Sequence, residues 1–349
     1  MINSFLCRLN IDLHHMENKK IPAVLGVGNA LVDVITVLEN DAILEQFGLP
    51  RGSMTLVDAN LSKKIYETVY SDKSEISTGG SVANTMRTLA GIGGKGGYMG
   101  KTGNDDLGKV FKEAFEKKGI KTHLSNSSTE TGRVMGLVSP DSERTMATYL
   151  GAAAELTTAD FNQELFTGYD YLYMEGYLVF NHELIKTGVE MAKSAGLKIA
   201  IDLASYNVVD ANREFLKELI SKHVDIVFAN EEEAKSLTGK EPVEALYEIS
   251  EMCELTIVKV GKEGSYIKRG DEVLKIGTIP AKAIDTTGAG DSYAAGFFYG
   301  LTKGYDLETS GKIAALISGK TVEVMGANLP NHQWPKIKEE IKKIVRQAK

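Results

Sequence analysis

Apolar residues in this 349-residue chain occur in two patterns, short continuous runs and longer stretches with helical spacing. Short runs bounded by turn residues are typical of buried strands, and apolar positions three or four apart are typical of helices covering a sheet. From residue 171 onward the two patterns alternate, which favours a mostly parallel sheet flanked by helices. The predicted strands of this part are 171–174, 198–202, 226–229 and 255–259, and the predicted helices are 183–195, 212–221, 231–238 and 243–252.

The remaining segments are less regular but still predict an α/β chain. Two segment pairs have the pattern of antiparallel hairpins, namely 133–139 with 145–150, around a turn at 140–143, and 265–268 with 273–276. The other predicted strands are 24–27 and 97–99, and the other predicted helices are 58–70, 82–89, 107–118, 288–302, 307–324 and 334–347. We expect one domain at 22–349, preceded by an extension at 1–21 of which residues 1–15 are dispensable.

Charge and cysteine content narrow the classes of partner. The formal net charge is −7, whereas a nucleic-acid surface is usually basic, so we expect no nucleic-acid partner. No apolar run approaches the roughly 20 residues that span a bilayer, so we expect no membrane insertion. Cys7 and Cys253 lie far apart and build neither a disulfide framework nor a metal cluster. This usage suits a reducing cytoplasm, which is the predicted location.

The segment 285–291 carries the strongest chemical signal. Gly288 and Gly290 lie just before Asp291, and a small-residue, apolar run follows at 292–300, which predicts a loop at the start of a helix. The N–H groups of 288–291 are expected to be unpaired at the positive end of the helix dipole, a place that binds phosphate. Asp291 would then take a proton from an alcohol. The alternative is an ordinary glycine turn whose acid stabilises the helix alone.

Polar residues near two other turns are candidate ligand contacts. Gly79 and Gly80 begin a second helix, where they let a ligand approach the backbone while Asn84 offers a donor and an acceptor. Asn29 and Asp33 follow the first strand, and the carboxylate of Asp33 suits a vicinal diol. The alternatives are small-residue packing at the glycines, a turn asparagine and a surface aspartate.

Two segments near the ends of later strands have two interpretations each. Asn230 followed by Glu233 is a helix-capping pattern, but acids at the mouth of an α/β sheet also organise the waters around Mg²⁺. Gly261 and Gly264 belong either to a hairpin turn or to a loop that lines a nucleotide. Spacing alone does not decide between them.

These pieces, in this order, resemble the ribokinase-like (PfkB) family of sugar and nucleoside kinases over about residues 22–335. The segment 79–84 is similar to the family's first signature, 285–291 to its second, and Asn230 with Glu233 to its Mg²⁺-linked motif. The resemblance implies phosphoryl transfer from ATP to an alcohol. It also implies a three-layer α/β fold with a mostly parallel central sheet and a small β lid, here from about 34–57 and 131–150.

The resemblance also implies a role for each candidate residue. Asp291 is expected to be the catalytic base, with Gly288, Ala289 and Gly290 forming the anion hole. The expected acceptor-binding residues are Asn29, Asp33, Gly79, Gly80 and Asn84. The expected ATP-binding residues are Asn230, Gly261, Gly264 and Thr287, and Glu233 is expected to bind Mg²⁺ through water. Some members bind K⁺ near the second signature, so a monovalent cation is possible beside Asp285 and Thr287.

The identity of the acceptor depends on weaker similarities. The segment 28–33 looks like adenosine kinases, while 148–152 and 175–178 are similar to bacterial members called adenosine kinase or sugar kinase. We favour adenosine; the alternatives are a free-sugar kinase and a non-catalytic nucleotide or sugar sensor. Tyr149, Tyr177 and Phe180 are candidate walls for the base, although aromatic residues there also suit a core. The sequence is compatible with a monomer and with a homodimer.

Overall fold

The computed structural model describes residues 23–141 and 143–348, so the predicted extension at 1–21 lies outside the described residues. The strands are β1 (Ala23–Val27), β2 (Leu31–Val37), β3 (Met54–Leu56), β4 (Glu75–Gly79), β5 (Lys95–Gly103), β6 (Lys121–Ser127), β7 (Thr131–Val138), β8 (Arg144–Gly151), β9 (Tyr171–Glu175), β10 (Lys198–Asp202), β11 (Ile226–Asn230), β12 (Leu255–Lys259), β13 (Ser265–Arg269) and β14 (Glu272–Ile276). They form two sheets.

The α-helices lie between these strands and after the last of them. They are α1 (Ala42–Gln46), α2 (Ala59–Val69), α3 (Ser81–Ile92), α4 (Asp106–Lys117), α5 (His182–Ser194), α6 (Tyr206–His223), α7 (Glu231–Thr238), α8 (Pro242–Ser250), α9 (Ala289–Lys303), α10 (Leu307–Thr321) and α11 (Trp334–Gln347). Among the described residues, none of the helices combines the length and the apolar character that a membrane span needs.

The larger sheet has nine strands in the order β14-β13-β12-β11-β10-β9-β1-β5-β6. The seven strands from β12 to β6 are parallel, and the β13–β14 hairpin adds two antiparallel strands at one edge. Because the parallel strands end at one edge of the sheet, the residues at their carboxyl ends come together there.

Both faces of the larger sheet are buried, which explains the continuous apolar runs in its strands. Along β11, Val227 and Ala229 pack in one core and Ile226 and Phe228 in another. The first core includes residues of α5 to α8, and the second includes residues of α3 and α9. The predicted α/β fold, a mostly parallel sheet between helical layers, is confirmed.

The smaller sheet has five strands in the order β3-β8-β7-β2-β4. The antiparallel pairing of β7 with β8 confirms the hairpin predicted around 140–143. β4 was not predicted, because the glycines at its end were interpreted only as a helix start. Gly79 ends β4 and Gly80 caps α3, so this pair joins the smaller sheet directly to a helix packed on the larger one.

Candidate active site

A cavity of about 620 Å³ lies at the carboxyl edge of the larger sheet. Residues from the ends of β10, β11 and β12 and from the first turn of α9 line it. Among them are Asp202, Asn230, Glu233, Lys259, Gly290 and Asp291. Asp291 therefore faces an open space large enough for a small ligand, as a proton acceptor for a substrate must.

The carboxylate of Asp291 is held by two donors from the start of α3. Ser81 Oγ donates to Oδ1 at 2.7 Å, and Asn84 Nδ2 donates to Oδ2 at 2.9 Å. Burial raises the pKa of Asp291 to about 6, although these two hydrogen bonds oppose the rise. The group is therefore ionised at neutral pH, yet basic enough to accept a proton.

The loop before α9 presents backbone donors beside this carboxylate. Gly288 has φ of 73°, and a Cβ there would lie 2.3 Å from Ala327 Cβ, so the turn requires glycine. The prediction that all four N–H groups of 288–291 are unpaired is wrong at Ala289, whose N–H closes a turn by donating to Thr286 O at 3.1 Å. Within the described residues, the N–H groups of Gly288, Gly290 and Asp291 have no protein acceptor. Three donors thus remain at the positive end of the helix.

Thr287 supports the loop instead of presenting free donors to a nucleotide. Its N–H and its hydroxyl both donate to Asp285 Oδ1, at 2.9 and 2.7 Å. Both donors of Thr287 are therefore engaged by Asp285 in this arrangement, and its predicted nucleotide contact stays a prediction. Asp285 Oδ2 accepts from Gly326 N at 2.7 Å and from Arg144 Nη1 at 2.7 Å, so this carboxylate links three segments.

Arg144 is a functional candidate that the sequence analysis missed. It begins β8 in the smaller sheet and reaches the glycine loop from outside the larger sheet. Its Nε and Nη2 atoms are buried and have no hydrogen-bond partner in the part of the chain that the structure describes. Unpaired buried donors are costly, so the arrangement suits an anion that binds beside Asp285. Only its place on the predicted hairpin pointed to it.

The predicted acceptor-binding residues Asn29, Asp33, Gly79 and Gly80 come together at the turn between β4 and α3. A Cβ at Gly79 would lie 2.0 Å from Asp33 Oδ1, and one at Gly80 would lie 2.2 Å from Asn29 O. Both glycines are therefore needed for Asn29 and Asp33 to lie against this turn. Burial raises the pKa of Asp33 to about 6, against the charges of Arg87 and Arg144.

Asn84 has a different environment from the one predicted. Its Oδ1 accepts from Arg87 Nη2 at 2.9 Å, and its Nδ2 donates to Asp291. Each end of the amide thus makes one hydrogen bond within the protein, which leaves one N–H and one lone pair, and the predicted contact with an acceptor hydroxyl stays a prediction. Arg87, which the sequence analysis missed, is buried and fixes the orientation of this amide.

Glu175, at the end of β9, is a third missed residue and fixes Asn29. Its Oε1 accepts from Asn29 Nδ2 at 2.6 Å, and its Oε2 accepts from Val82 N at 3.3 Å. A Cβ at Gly28 would lie 2.6 Å from Oε2, so glycine is needed there. Burial raises the pKa of Glu175 to about 7. The buried carboxyl joins the end of β1 to the start of α3.

Asn230 and Glu233 form the predicted capping box at the start of α7. Glu233 Oε2 accepts from Asn230 N at 2.7 Å and Oε1 from Asn230 Nδ2 at 2.8 Å. Burial raises the pKa of Glu233 to about 7, and Asp202 adds to the rise. No cluster of three or more metal-ligating side chains occurs among the described residues. The carboxyl groups of Glu231 and Glu233 line the cavity, and carboxylates of this kind suit an Mg²⁺ ion that keeps several waters.

Gly261 and Gly264 line the same cavity, directly after β12. Gly264 has φ of 98°, and a Cβ there would lie 1.9 Å from Ile276 O. The residue is thus needed where β13 pairs with β14. The hairpin interpretation and the position beside a ligand space both apply to this loop.

Of the three aromatic residues predicted as walls for a base, only Tyr177 lines the cavity, with 37% of its surface exposed. Tyr149 packs instead against the guanidinium of Arg133, whose Cζ lies 5.8 Å from the ring centroid. Phe180 is 65% exposed and is not part of the cavity wall.

Several known proteins are similar to this chain in fold and in sequence. The model of the pfkB family carbohydrate kinases matches residues 52–334. A probable sugar kinase from Rhizobium etli CFN 42 superposes with a TM-score of 0.82, at 32% identity, covering 93% of this chain and 98% of that one. An adenosine kinase from Sinorhizobium meliloti superposes with a TM-score of 0.80, at 33% identity, covering 94% and 99%. An adenosine kinase from Dictyostelium discoideum is 28% identical over 347 residues, covering 92% and 99%. The chain therefore belongs to the pfkB family of carbohydrate kinases and is a kinase.

Proposed function

We propose that this kinase transfers the terminal phosphate of ATP to the 5′-hydroxyl of adenosine. The observation that carries the proposal is the carboxylate of Asp291 in a cavity beside the free N–H groups of Gly288 and Gly290. Membership of the family implies ATP as donor and usually Mg²⁺. Adenosine is supported by the relatives that bear that name. Tyr177 lines the cavity together with the proposed donor-site residues, and whether its ring contacts the acceptor is tested below.

The residues of the site suit an in-line transfer. Asp291 takes the proton of the acceptor hydroxyl as its oxygen bonds to the terminal phosphorus. The bond from that phosphorus to the bridging oxygen breaks, and ADP leaves with the electron pair. Backbone N–H groups and Arg144 neutralise the phosphoryl oxygens, since this chemistry is mostly positioning and charge neutralisation. Glu231 and Glu233 would hold Mg²⁺ through water, and the ion would supply further charge neutralisation at the phosphates.

The acceptor is proposed to bind between the two sheets. Asp33 accepts from the two ribose hydroxyls, and Asn29, held by Glu175, adds a further polar contact. We propose that the smaller sheet changes its angle to α3 at Gly79 and Gly80 and closes as a lid over the acceptor. Closure would exclude water, which otherwise competes with the alcohol for the phosphoryl group.

A small panel of acceptors tests the assignment. With ATP and Mg²⁺ we expect turnover of adenosine, measured as ADP release, to exceed that of ribose and fructose. Sugar turnover without nucleoside turnover would establish the alternative, a sugar kinase like the Rhizobium etli relative. ATP binding with no turnover of any acceptor would instead indicate a sensor.

Replacement of Tyr177 by alanine is expected to raise the KM for adenosine about tenfold or more, because stacking on a base is worth about 1–3 kcal/mol. The KM for ATP should stay the same if the ring contacts the acceptor. Steady-state kinetics with each substrate varied in turn measure both values. Tyr177→Phe keeps the ring and should keep the wild-type KM, and Phe180→Ala removes an exposed ring outside the cavity wall. A rise in the KM for ATP alone would indicate that Tyr177 contacts the donor nucleotide.

Three expectations from the sequence stay predictions: the cytoplasmic location, the choice between monomer and homodimer, and K⁺ binding. The carboxylate of Asp285 is already paired with Arg144 and with Gly326 N–H. We therefore expect main-chain carbonyl groups of this loop to bind any activating K⁺.

A further inference from the structure

Lys259 is a lysine in the cavity wall to which the scheme above gives no role. It is the last residue of β12, and Asp202 is the last residue of β10, two strands away in the parallel sheet. Lys259 Nζ donates to Asp202 Oδ2 at 3.0 Å across the intervening β11. The lysine side chain is 15% exposed and the aspartate side chain 8%. A buried ion pair thus lies at the same edge of the sheet as Asp291.

The ammonium group also lies against the glycine loop. A Cβ at Gly290 would lie 3.1 Å from Lys259 Nζ, so glycine at this position lets the loop come close to the ammonium. An ammonium has three donors, and only Asp202 accepts from this one among the residues described. The free N–H groups of Gly288 and Gly290 lie on the same loop. The ammonium and these N–H groups are thus arranged so that one anion could accept hydrogen bonds from them together.

The surroundings keep Lys259 charged. Burial opposes the charged form, but the carboxylates of Asp202, Glu233 and Asp291 outweigh it and raise the pKa of Lys259 above its ordinary value. The lysine therefore stays protonated throughout the neutral range and offers a fixed positive charge. Lysine binds phosphate as such a point charge.

We propose that Lys259 is a catalytic residue whose ammonium group binds the terminal phosphate of the donor nucleotide, and that Asp202 is a positioning residue that holds it against the loop. The proposal rests on the phosphoryl transfer described above. In that step Lys259 keeps its proton, because the proton of the alcohol goes to Asp291 and the electron pair of the broken bond leaves with ADP. The lysine contributes charge neutralisation at the oxygens of the transferred group.

The test compares the binding of two nucleotides to a Lys259→Met variant. The probes are ADP and the non-hydrolysable β,γ-imido analogue of ATP, both with Mg²⁺, measured by titration calorimetry. Loss of a charged hydrogen bond to the terminal phosphate should lower the affinity for the analogue about 10- to 100-fold. The affinity for ADP should stay unchanged. The kcat should fall, while the KM for adenosine should not change.

Lys101→Met is a matched control. Its ammonium pairs with Asp160 at 3.2 Å, and its side chain is likewise 15% exposed, but it does not line the cavity. This variant should lose some stability and keep the wild-type ratio of the two affinities. The ratio, and not the melting temperature, therefore separates a phosphate contact from a structural ion pair.

The proposal would be overturned if Lys259→Met lowered the affinities for ADP and for the analogue equally, or lowered neither of them. If that variant does not fold, Asp202→Asn supplies the test, since it keeps the ammonium but removes the group that holds it. Selective weakening of the analogue there supports the proposal, and equal weakening contradicts it. A wild-type protein that phosphorylates no acceptor would defeat the proposed function, whereas selective loss of analogue binding would still support the phosphate contact.

Discussion

Replacement of Asp291 by asparagine is expected to lower kcat about 10²- to 10⁴-fold, the usual contribution of general-base catalysis. The amide has nearly the same shape but cannot take the proton of the acceptor hydroxyl. ATP affinity should stay close to that of the wild type, because the backbone donors of Gly288 and Gly290 do not depend on this side chain. Turnover of adenosine and equilibrium binding of ATP measure the two effects separately.

The pH dependence of the rate gives a second measure of the same group. Burial raises the pKa of Asp291 to about 6, so the ionised form, which we propose as the base, is lost as the pH falls through that value. The wild-type kcat should decline below about pH 6, and the residual rate of Asp291→Asn should lack this decline. Ser81→Ala, which removes one donor to the carboxylate but keeps the base, should cost far less than Asp291→Asn. A variant with asparagine at 291 and an unchanged rate would exclude Asp291 as the base.

The strands that the sequence predicted well are those buried on both faces. Segments 199–201 and 226–229 are continuous apolar runs because helices cover both sides of the sheet there. β6 was missed because Lys121–Ser127 is mostly polar, and β4 because Glu75–Gly79 ends in glycine. Strands of this kind form through pairing with neighbours that are distant in sequence, and that pairing leaves little local pattern.

The site was predictable only where one short segment supplies it. The loop before Asp291 is local, so its glycines and its acid could be read from adjacent positions. Glu175 and Arg144 act through contacts 146 and 141 residues away along the chain, with Asn29 and Asp285. The same tertiary packing explains the hydrogen bond from Asn84 to Asp291, which lies 207 residues further along the chain.

The ends of two predicted strands contained charged residues that the sequence analysis did not consider together. Asp202 and Lys259 are the last residues of strands that were predicted with these bounds, 198–202 and 255–259. Because parallel strands end at one edge, opposite charges at two such ends are expected to meet. The sequence thus showed both charged residues at strand ends, and the strand order was the further information needed to predict their contact.

Replacement of Arg144 by glutamine is expected to lower kcat about 10²- to 10³-fold, the usual effect of removing one donor from a charge-stabilising site. Its Nε and Nη2 atoms are buried without a hydrogen-bond partner in the described chain, and we expect a phosphoryl oxygen to accept from them when the donor is bound. Steady-state turnover of adenosine measures the effect. Arg144→Lys should recover only part of the rate, because lysine keeps the charge but lacks the planar fork of donors.

The variant also leaves Asp285 without its guanidinium partner, so lost stability must be separated from lost catalysis. Arg133→Gln provides the comparison. Arg133 is a buried arginine of β7 in the same sheet, and it pairs with Glu130 and Ser62 away from the loop. Its loss should lower the melting temperature with little effect on kcat once the protein is folded. A phosphate-binding arginine should instead lower kcat at temperatures where both variants are fully folded. If the two variants lose rate in equal proportion, Arg144 serves the fold of the smaller sheet and does not contact the phosphate.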